Sequence, residues 1–197
     1  MVFKIAVSGE YFMRKYFFVL FVVILTIQSL TFAHSQRSKK WKIFYSVQKR
    51  FSVELPRPPV IMADSTEIDF LKEAFPGTKH INAYIFSGKG GKDTETKYDI
   101  LEFILATENL SVDEFYEHCE GNLLVFDGDD KEIKYQKRST QGKALIFDAE
   151  YAKFELTGRV RMIKYKDSIF IISFSTYAKK GTDPKLIARV LNTFKLQ

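Results

Sequence analysis

Four carboxylates lie within six residues in the segment DGDDKE, residues 127–132. They are Asp127, Asp129, Asp130 and Glu132. Oxygen ligands at this density could hold Ca²⁺. The calcium-loop pattern, however, has its glycine at the sixth position, whereas Gly128 stands second here. Because Asp-Gly is also a common turn dipeptide, the segment predicts a solvated turn, with an ion site as the weaker alternative.

A second set of candidate residues is basic and belongs to a series of predicted strands near the C-terminus. Its members are Lys134, Arg138, Arg159, Arg161 and Lys164. Alternate residues of a strand share a face, so we expect Arg159 to lie beside Arg161 and Lys134 beside Arg138. On neighbouring strands these cations would form a basic stripe for an acidic partner or for membrane headgroups. Interspersed acids leave an ordinary solvated surface as the alternative.

The sequence shows no residue pattern typical of catalysis. His34, His80 and His118 lack the spacing of metal ligands. His118 and the single Cys119 are adjacent, and adjacent residues on a helix point about 100° apart. We therefore predict no catalytic residue and no cofactor, and Cys119 is expected in the core. An unrecognised extracytoplasmic hydrolase stays open as an alternative, for which His80 would have to lie in a cleft beside a carboxylate.

The composition is that of a folded protein with one domain and an appendage. The chain has 197 residues, of which 46% are hydrophobic and 27% charged. Nineteen Phe and ten Tyr are enough for a sizeable core. A net charge of +6 favours acidic partners without selecting one. The single Cys excludes an internal disulfide and a zinc site built from several cysteines.

Residues 1–33 have the order of a secretory signal peptide, and Met13 is an alternative start. A basic pair at 14–15 precedes an apolar run over 16–30, and small residues follow. An uncleaved anchor is the alternative, since residues 16–33 just reach the length of a transmembrane helix. Both interpretations place the rest of the chain outside the cytoplasm, either periplasmic or secreted.

Residues 34–49 are predicted to be a linker with an aromatic lead-in, and residues 50–197 a single domain. RFSVELP alternates and ends on proline, which predicts an edge strand at its start. Residues 57–80 are compatible with a short helix or a strand. The other predicted strands are INAYIFSG, ETKYDILEFILA, EIKYQKR, ALIFDAEYAKF, ELTGRVRMIKY and IFIISFST.

Two helices accompany these strands. SVDEFYEHCEGNLL begins with Ser111 and Glu114 at the spacing of a capping box. The second helix has Pro184 in its first turn, after Thr182 and Asp183. The order of elements predicts an α+β fold, an antiparallel sheet flanked by helices as in an α/β/α sandwich.

Four segments resemble the PsbP-like fold family: RFSVELP, KYDILEFILA, RVRMIKYKDSIFIISFST and VLNTFKL, in this order. The family comprises the photosystem II extrinsic protein P and related exported bacterial proteins of unassigned function. The resemblance covers about residues 50–197 and consists of packing motifs. The ion-binding residues of the photosystem proteins have no match here, so none is transferred. The resemblance implies a non-enzymatic, extracytoplasmic binding or assembly module.

Together these observations predict an exported binding or assembly module of the cell envelope, acting through a sheet face or the basic stripe. The expected partner is a protein or an anionic envelope component. Nucleic acid is not expected because the fold offers no recognition helix. Membrane contact is expected only through an uncleaved N-terminal segment. A pocket between the sheet and the C-terminal helix would instead indicate a small-ligand binder.

Overall fold

The structure, a computed structural model of the chain, describes residues 41–63, 69–90, 94–125, 132–153, 156–177 and 184–197. The predicted signal segment lies outside these ranges. So do residues 91–93, the acidic residues Asp127, Asp129 and Asp130, and the residues before the second helix, Thr182 and Asp183. Within the described ranges, no helix combines the length and the apolar character that crossing a bilayer requires.

Seven antiparallel strands form the main sheet in the order β3-β4-β5-β9-β8-β7-β6. They are β3 (Val60–Ala63), β4 (Thr78–Gly90), β5 (Thr94–Leu105), β6 (Glu132–Gln141), β7 (Ala144–Lys153), β8 (Leu156–Tyr165) and β9 (Ser168–Tyr177). The strands predicted from the sequence are confirmed, and they pair in chain order as the β4–β5 hairpin and the meander from β6 to β9. The central strand β9 is buried on both faces, as its nearly continuous apolar sequence predicts.

One face of the main sheet packs against helix α1 (Val112–Val125) and is called the α1 face. The predicted capping box is confirmed, because the Ser111 amide donates to Glu114 Oε2 at 2.8 Å and the Glu114 amide to Ser111 Oγ at 3.2 Å. Cys119 is buried in the core, where burial raises the pKa of its thiol. A 3-10 helix, Asp69–Ala74, packs on the same face and lies within the ambiguous segment 57–80.

The opposite face, called the α2 face, packs against helix α2 (Pro184–Thr193) and a second, small sheet. That sheet has the order β1-β2-β10 and contains β1 (Lys42–Tyr45), β2 (Phe51–Leu55) and β10 (Lys195–Leu196). Phe51 of β2 is fully buried, with its ring centroid 5.3 Å from that of Tyr84 and 5.6 Å from that of Phe170. These contacts fix the small sheet to the main one.

The predicted edge position of RFSVELP is wrong. Strand β2 lies between β1 and β10 and pairs with both. The prolines after Leu55 end the strand, but they do not limit the pairing of the residues before them. Since β1 has four residues and β10 two, neither is long enough to show an alternating pattern of its own.

The predicted α/β/α sandwich is also wrong. The fold consists mostly of antiparallel strands, and the main sheet curls into a half-barrel. Among the described residues, each face carries a single α-helix, and the small sheet shares the covering of the α2 face. Most strands of the main sheet are ten to thirteen residues long. Twist accumulates along and between such strands, so the sheet does not offer two flat faces to layers of helices.

Candidate anion-binding pocket

The main sheet separates the predicted basic stripe into two groups. Arg159 and Arg161 lie on β8 opposite Phe174 and Ile172, which belong to the core of the α2 face. Cross-strand partners share a face, so both arginines are on the α2 side. This agrees with the period-two expectation for this pair.

Arg138 and Lys164 belong to the other group and are engaged on the α1 side. The Arg138 Nε donates to Glu120 of α1 at 3.1 Å, and its guanidinium lies 5.0 Å from the ring centroid of Tyr116. The Lys164 Nζ donates to the backbone carbonyl of Glu108 at 3.2 Å. The five cations therefore do not form one continuous stripe.

A β-bulge accounts for the position of Lys134. The pairing of β6 with β7 shifts register between Ile133 and Tyr135, so Lys134 has no cross-strand partner. An extra residue reverses the faces of the residues beyond it. Lys134 consequently lines a pocket beside α2, whereas Arg138 contacts α1. The expectation that these two residues share a face is wrong for this reason.

The pocket lies between β6, β7, β8 and the first turns of α2 and has a volume of about 310 Å³. It brings together two of the predicted cations, Lys134 and Arg159, with one carboxylate, Glu150. Its lining residues are Lys134, Glu150, Tyr151, Thr157, Gly158, Arg159, Pro184 and Ile187. This volume is at the lower end of the range for small-molecule sites.

The hydrogen bonds of Arg159 are incomplete. Arg161 forms two with Asp148, at 2.8 and 3.0 Å. Arg159 approaches Glu150 at only 3.5 Å, and its buried Nε has no hydrogen-bond partner among the described residues. Because a guanidinium carries five N–H donors and does not lose its charge, Arg159 can accept a further anionic partner.

The electrostatics of the pocket favour an anion. Its three charged side chains are two cations and one anion, a net charge of +1. The N-terminal end of α2, at Pro184, adds the positive end of the helix dipole. The pocket is therefore complementary to a carboxylate or phosphate group, with Ile187 providing an apolar wall.

A close packing contact lies behind the pocket, on the α1 face of the sheet. Tyr151 on β7 pairs with Gly158 on β8, and a Cβ atom at Gly158 would lie 2.1 Å from the Tyr151 ring. Glycine is thus the residue that allows the ring to lie directly against the neighbouring strand. Because this ring belongs to the core of the α1 face, the contact lies on the side of the sheet opposite Glu150 and Arg159.

A second cluster of polar groups is buried around Glu102, which is 0% exposed. Asn82 Nδ2 and Tyr84 Oη donate to its Oε2 at 3.0 and 2.9 Å, whereas Oε1 has no hydrogen-bond partner among the described residues. Burial raises the pKa of the Glu102 carboxyl, which the two hydrogen bonds oppose. Tyr84 Oη also accepts the amide of Val47 at 3.2 Å, so the cluster attaches the β1–β2 turn to the main sheet.

The surface end of this cluster is an ion pair between Arg50 and Asp167, and Arg50 Nη1 also contacts Ser168 Oγ at 2.6 Å. The hydrogen bond from Arg50 lowers the pKa of the Asp167 carboxyl. Tyr84, Glu102 and Ser168 could in principle act on a substrate, but all three are buried. His80 lies exposed on β4. These residues thus serve the packing of the fold.

The described residues do not include enough of the predicted carboxylate ligands to form the ion site at 127–132. Asp127, Asp129 and Asp130 lie outside them, and Glu132 is exposed at the start of β6. In the described part of the chain, no three His, Cys, Asp or Glu residues are grouped so that they could hold an ion.

Glu150 and Glu102 are absent from the residues proposed on sequence grounds. Glu150 can be found from the hairpin register, because the pairing of Lys153 with Leu156 sets Glu150 opposite Arg159. For Glu102 the signal is a single carboxylate within the apolar run ILEFIL, where neither strand face is expected to be polar. The contribution of α2 to the pocket depends on tertiary packing and has no local signal.

No family model matches the chain, and no curated protein matches it. Among solved structures, it is similar to the Ran-binding protein Mog1p of Saccharomyces cerevisiae, at 14% identity and a TM-score of 0.47. That likeness covers 81% of this chain and 96% of Mog1p. It is also similar to PA94, a protein of unknown function from Pseudomonas aeruginosa, at 12% identity and a TM-score of 0.38, over 75% of this chain and 86% of PA94. At these scores neither likeness indicates a partner.

Proposed function

We propose that this chain is an exported, non-catalytic binding module that recognises an anionic group of its partner in the pocket between β7, β8 and α2. The observation that carries this proposal is the buried Nε of Arg159, which has no hydrogen-bond partner among the described residues. A buried donor without an acceptor costs about 1–3 kcal/mol. A carboxylate or phosphate in the pocket would supply that acceptor and would also approach Lys134.

The position of the polar groups favours binding over catalysis. The tyrosine, carboxylate and serine at Tyr84, Glu102 and Ser168 are closed to a substrate by the small sheet and the β1–β2 turn. The pocket, which is open, contains Glu150, but this carboxylate is already near Arg159. An enzyme would need an accessible acid, base or nucleophile poised beside its substrate.

Calorimetric titration of the full chain with inorganic phosphate and with a tetraglutamate peptide tests the site. We expect Arg159→Ala to weaken the binding of either probe about tenfold to hundredfold, since a hydrogen bond to a charged group contributes about 1.5–3 kcal/mol. Arg138→Ala is the matched control, because it removes the same charge on the α1 side and should change affinity less than about twofold. Equal losses in the two variants would reject the pocket.

A free small anion is the second candidate ligand, because Pro184 and Ile187 give the pocket an apolar wall. Octanoate, which joins a carboxylate to an aliphatic chain, distinguishes this case from an acidic protein partner. Tighter binding of octanoate than of tetraglutamate would favour the small ligand, and the reverse order would favour the protein. Ile187→Ser should weaken the binding of octanoate and leave the binding of tetraglutamate unchanged.

Export is proposed from the apolar run at 16–30 and the small residues after it. Mass spectrometry of the chain recovered from its native cell should give a mature N-terminus after Ala33 or Ser35. Recovery of the intact chain in the cytoplasmic fraction would reject export, and the intact chain in the membrane fraction would favour the anchor.

A further inference from the structure

We infer that the outer face of the small sheet is a docking surface for an anionic lipid bilayer. This surface, called the β1 surface, consists of Ile43, Tyr45 and Val47 with the lysines that surround them. It is separate from the pocket and does not depend on the proposed function.

Three large apolar side chains on the β1 surface point into solvent. Ile43, Tyr45 and Val47 are 60%, 54% and 60% exposed. Ile43 and Tyr45 alternate along β1, so they share one side, and Val47 follows two residues later in the adjoining turn. Phe44 points the other way, with its ring centroid 5.4 Å from that of Tyr84. Because Phe44 fixes the strand on the core, the three outward side chains cannot turn inward.

Positive charge surrounds these apolar side chains. Lys195 and, in the β1–β2 turn, Lys49 are exposed, and neither forms an ion pair with a described residue. Lys42 pairs with the buried Leu55 and so belongs to the opposite side of the small sheet. Tyr45, Ser52 and Lys195 lie in one row across the small sheet, so Lys195 is on the same side as the tyrosine. The acid on this side, Glu54, is neutralised by Arg189, which donates to its Oε2 at 2.9 and 2.7 Å.

This combination fits the interface of a bilayer. Aliphatic side chains enter the acyl boundary, an aromatic ring such as Tyr45 lies at headgroup level, and lysines contact anionic headgroups. Each lysine near an anionic surface increases affinity roughly fivefold. A sheet face with lysines at its edge has the charge opposite to that of phosphatidylglycerol, whereas an uncharged bilayer would contact only the apolar part of this face.

The sequence before β1 also favours a bilayer as the occupant. The candidate anchor at 16–33 ends eight residues before Lys42, and eight extended residues span at most about 29 Å. Where this leader stays uncleaved, it holds the chain at a membrane, and the β1 surface is the part of the described domain nearest to it along the chain.

Vesicle sedimentation of the full chain tests the inference, with phosphatidylcholine alone and with a mixture of phosphatidylcholine and phosphatidylglycerol. We expect binding to the mixed vesicles that weakens at high salt. The double variant Ile43→Ser, Val47→Ser should reduce it at least about tenfold, because both inserted side chains are lost. Val112→Ser is the control, since this side chain is 52% exposed on α1, which packs on the opposite face of the main sheet.

The charge component is tested separately. Lys49→Glu with Lys195→Glu should abolish the preference for the mixed vesicles, whereas Lys143→Glu in the β6–β7 turn should leave it unchanged. Arg159→Ala should also leave it unchanged, which distinguishes this surface from the pocket. Absence of vesicle binding would overturn the inference and leave an acidic protein strand as the occupant. Equal sedimentation of all variants would overturn it too, because binding would then reside in the leader.

Discussion

The pocket and the Glu102 cluster each contain one buried polar atom without a hydrogen-bond partner among the described residues, Nε of Arg159 and Oε1 of Glu102. The two side chains can respond differently. A carboxyl removes its charge by taking up a proton, and burial raises the pKa of Glu102 in that direction. A guanidinium keeps its charge, so Arg159 needs an acceptor from elsewhere. Glu102 can therefore respond to its unpaired oxygen by taking up a proton, whereas Arg159 needs an acceptor from a bound partner.

Access separates the two regions as well. The Glu102 cluster is covered by β2 and the β1–β2 turn, whereas the pocket opens between the sheet and α2. We therefore expect substitutions in the buried cluster to change folding stability and substitutions in the pocket to change binding. This distinction would be wrong if substitutions in the buried cluster changed binding and substitutions in the pocket changed folding stability.

Phe51→Ala should have the largest effect, a loss of about 3–5 kcal/mol in the free energy of unfolding. The Phe51 ring is fully buried against Tyr84, Phe170 and Phe194, so its removal leaves a cavity over the cluster. Urea denaturation measures the change. Tyr135→Ala, at an exposed position on β6, should stay within about 0.5 kcal/mol. A similar loss in both variants would mean that the small sheet does not stabilise the cluster.

Tyr84→Phe should cost about 1–3 kcal/mol, because one hydroxyl donates to Glu102 and accepts the amide of Val47. Hydrogen exchange of the Val47 amide should also become faster. Tyr135→Phe is the matched control, since its exposed hydroxyl can bond to water. If the Val47 amide keeps its protection, the turn is held by Arg50 and Asp167 rather than by the tyrosine.

The two regions differ in how far the sequence predicts them. A nearly continuous apolar run reveals β9, strand-like runs reveal β4 and β5, and Ser111 with Glu114 reveals the start of α1, because these signals are local. The small sheet is not predictable in this way, since β1 and β10 exist only through pairing with β2. The bulge at Lys134 inserts one residue without a sequence signature, and it changes which cations meet. The sequence thus identifies the individual basic residues, but it does not show which of them lie together on one side of the sheet.

The pH dependence of stability reports on the buried carboxyls. In the folded chain, burial raises the pKa of Glu102 above its ordinary 4.5 and that of Asp99, hydrogen-bonded by Ser173, from 3.8 to about 7. The folded state then holds protons that the unfolded state has released. The free energy of unfolding should therefore fall as pH rises from about 4 toward 7.

Glu102→Gln and Asp99→Asn should each flatten part of this fall, and the double variant should flatten most of it, because neutral amides have no proton to exchange. Urea denaturation at a series of pH values measures the slopes. Lowering of the Asp167 pKa acts in the opposite direction and at lower pH, where stability is lost as this carboxyl is protonated. A wild-type slope that is retained in Glu102→Gln would mean that Glu102 is ionised in the fold.

The smallest effect on stability is expected for Arg159→Ala, within about 0.5 kcal/mol, because the loss of its long and partly exposed ion pair with Glu150 is offset by removal of the unpaired buried Nε. Arg161→Ala, two residues along the same strand, is the matched comparison. It removes both hydrogen bonds from the nearly buried Asp148 and should cost about 1.5–3 kcal/mol. Thermal and urea denaturation measure both variants. A large loss of stability in Arg159→Ala would show that the fold already uses this guanidinium, and Arg159 would then belong with Glu102 and not with a binding site.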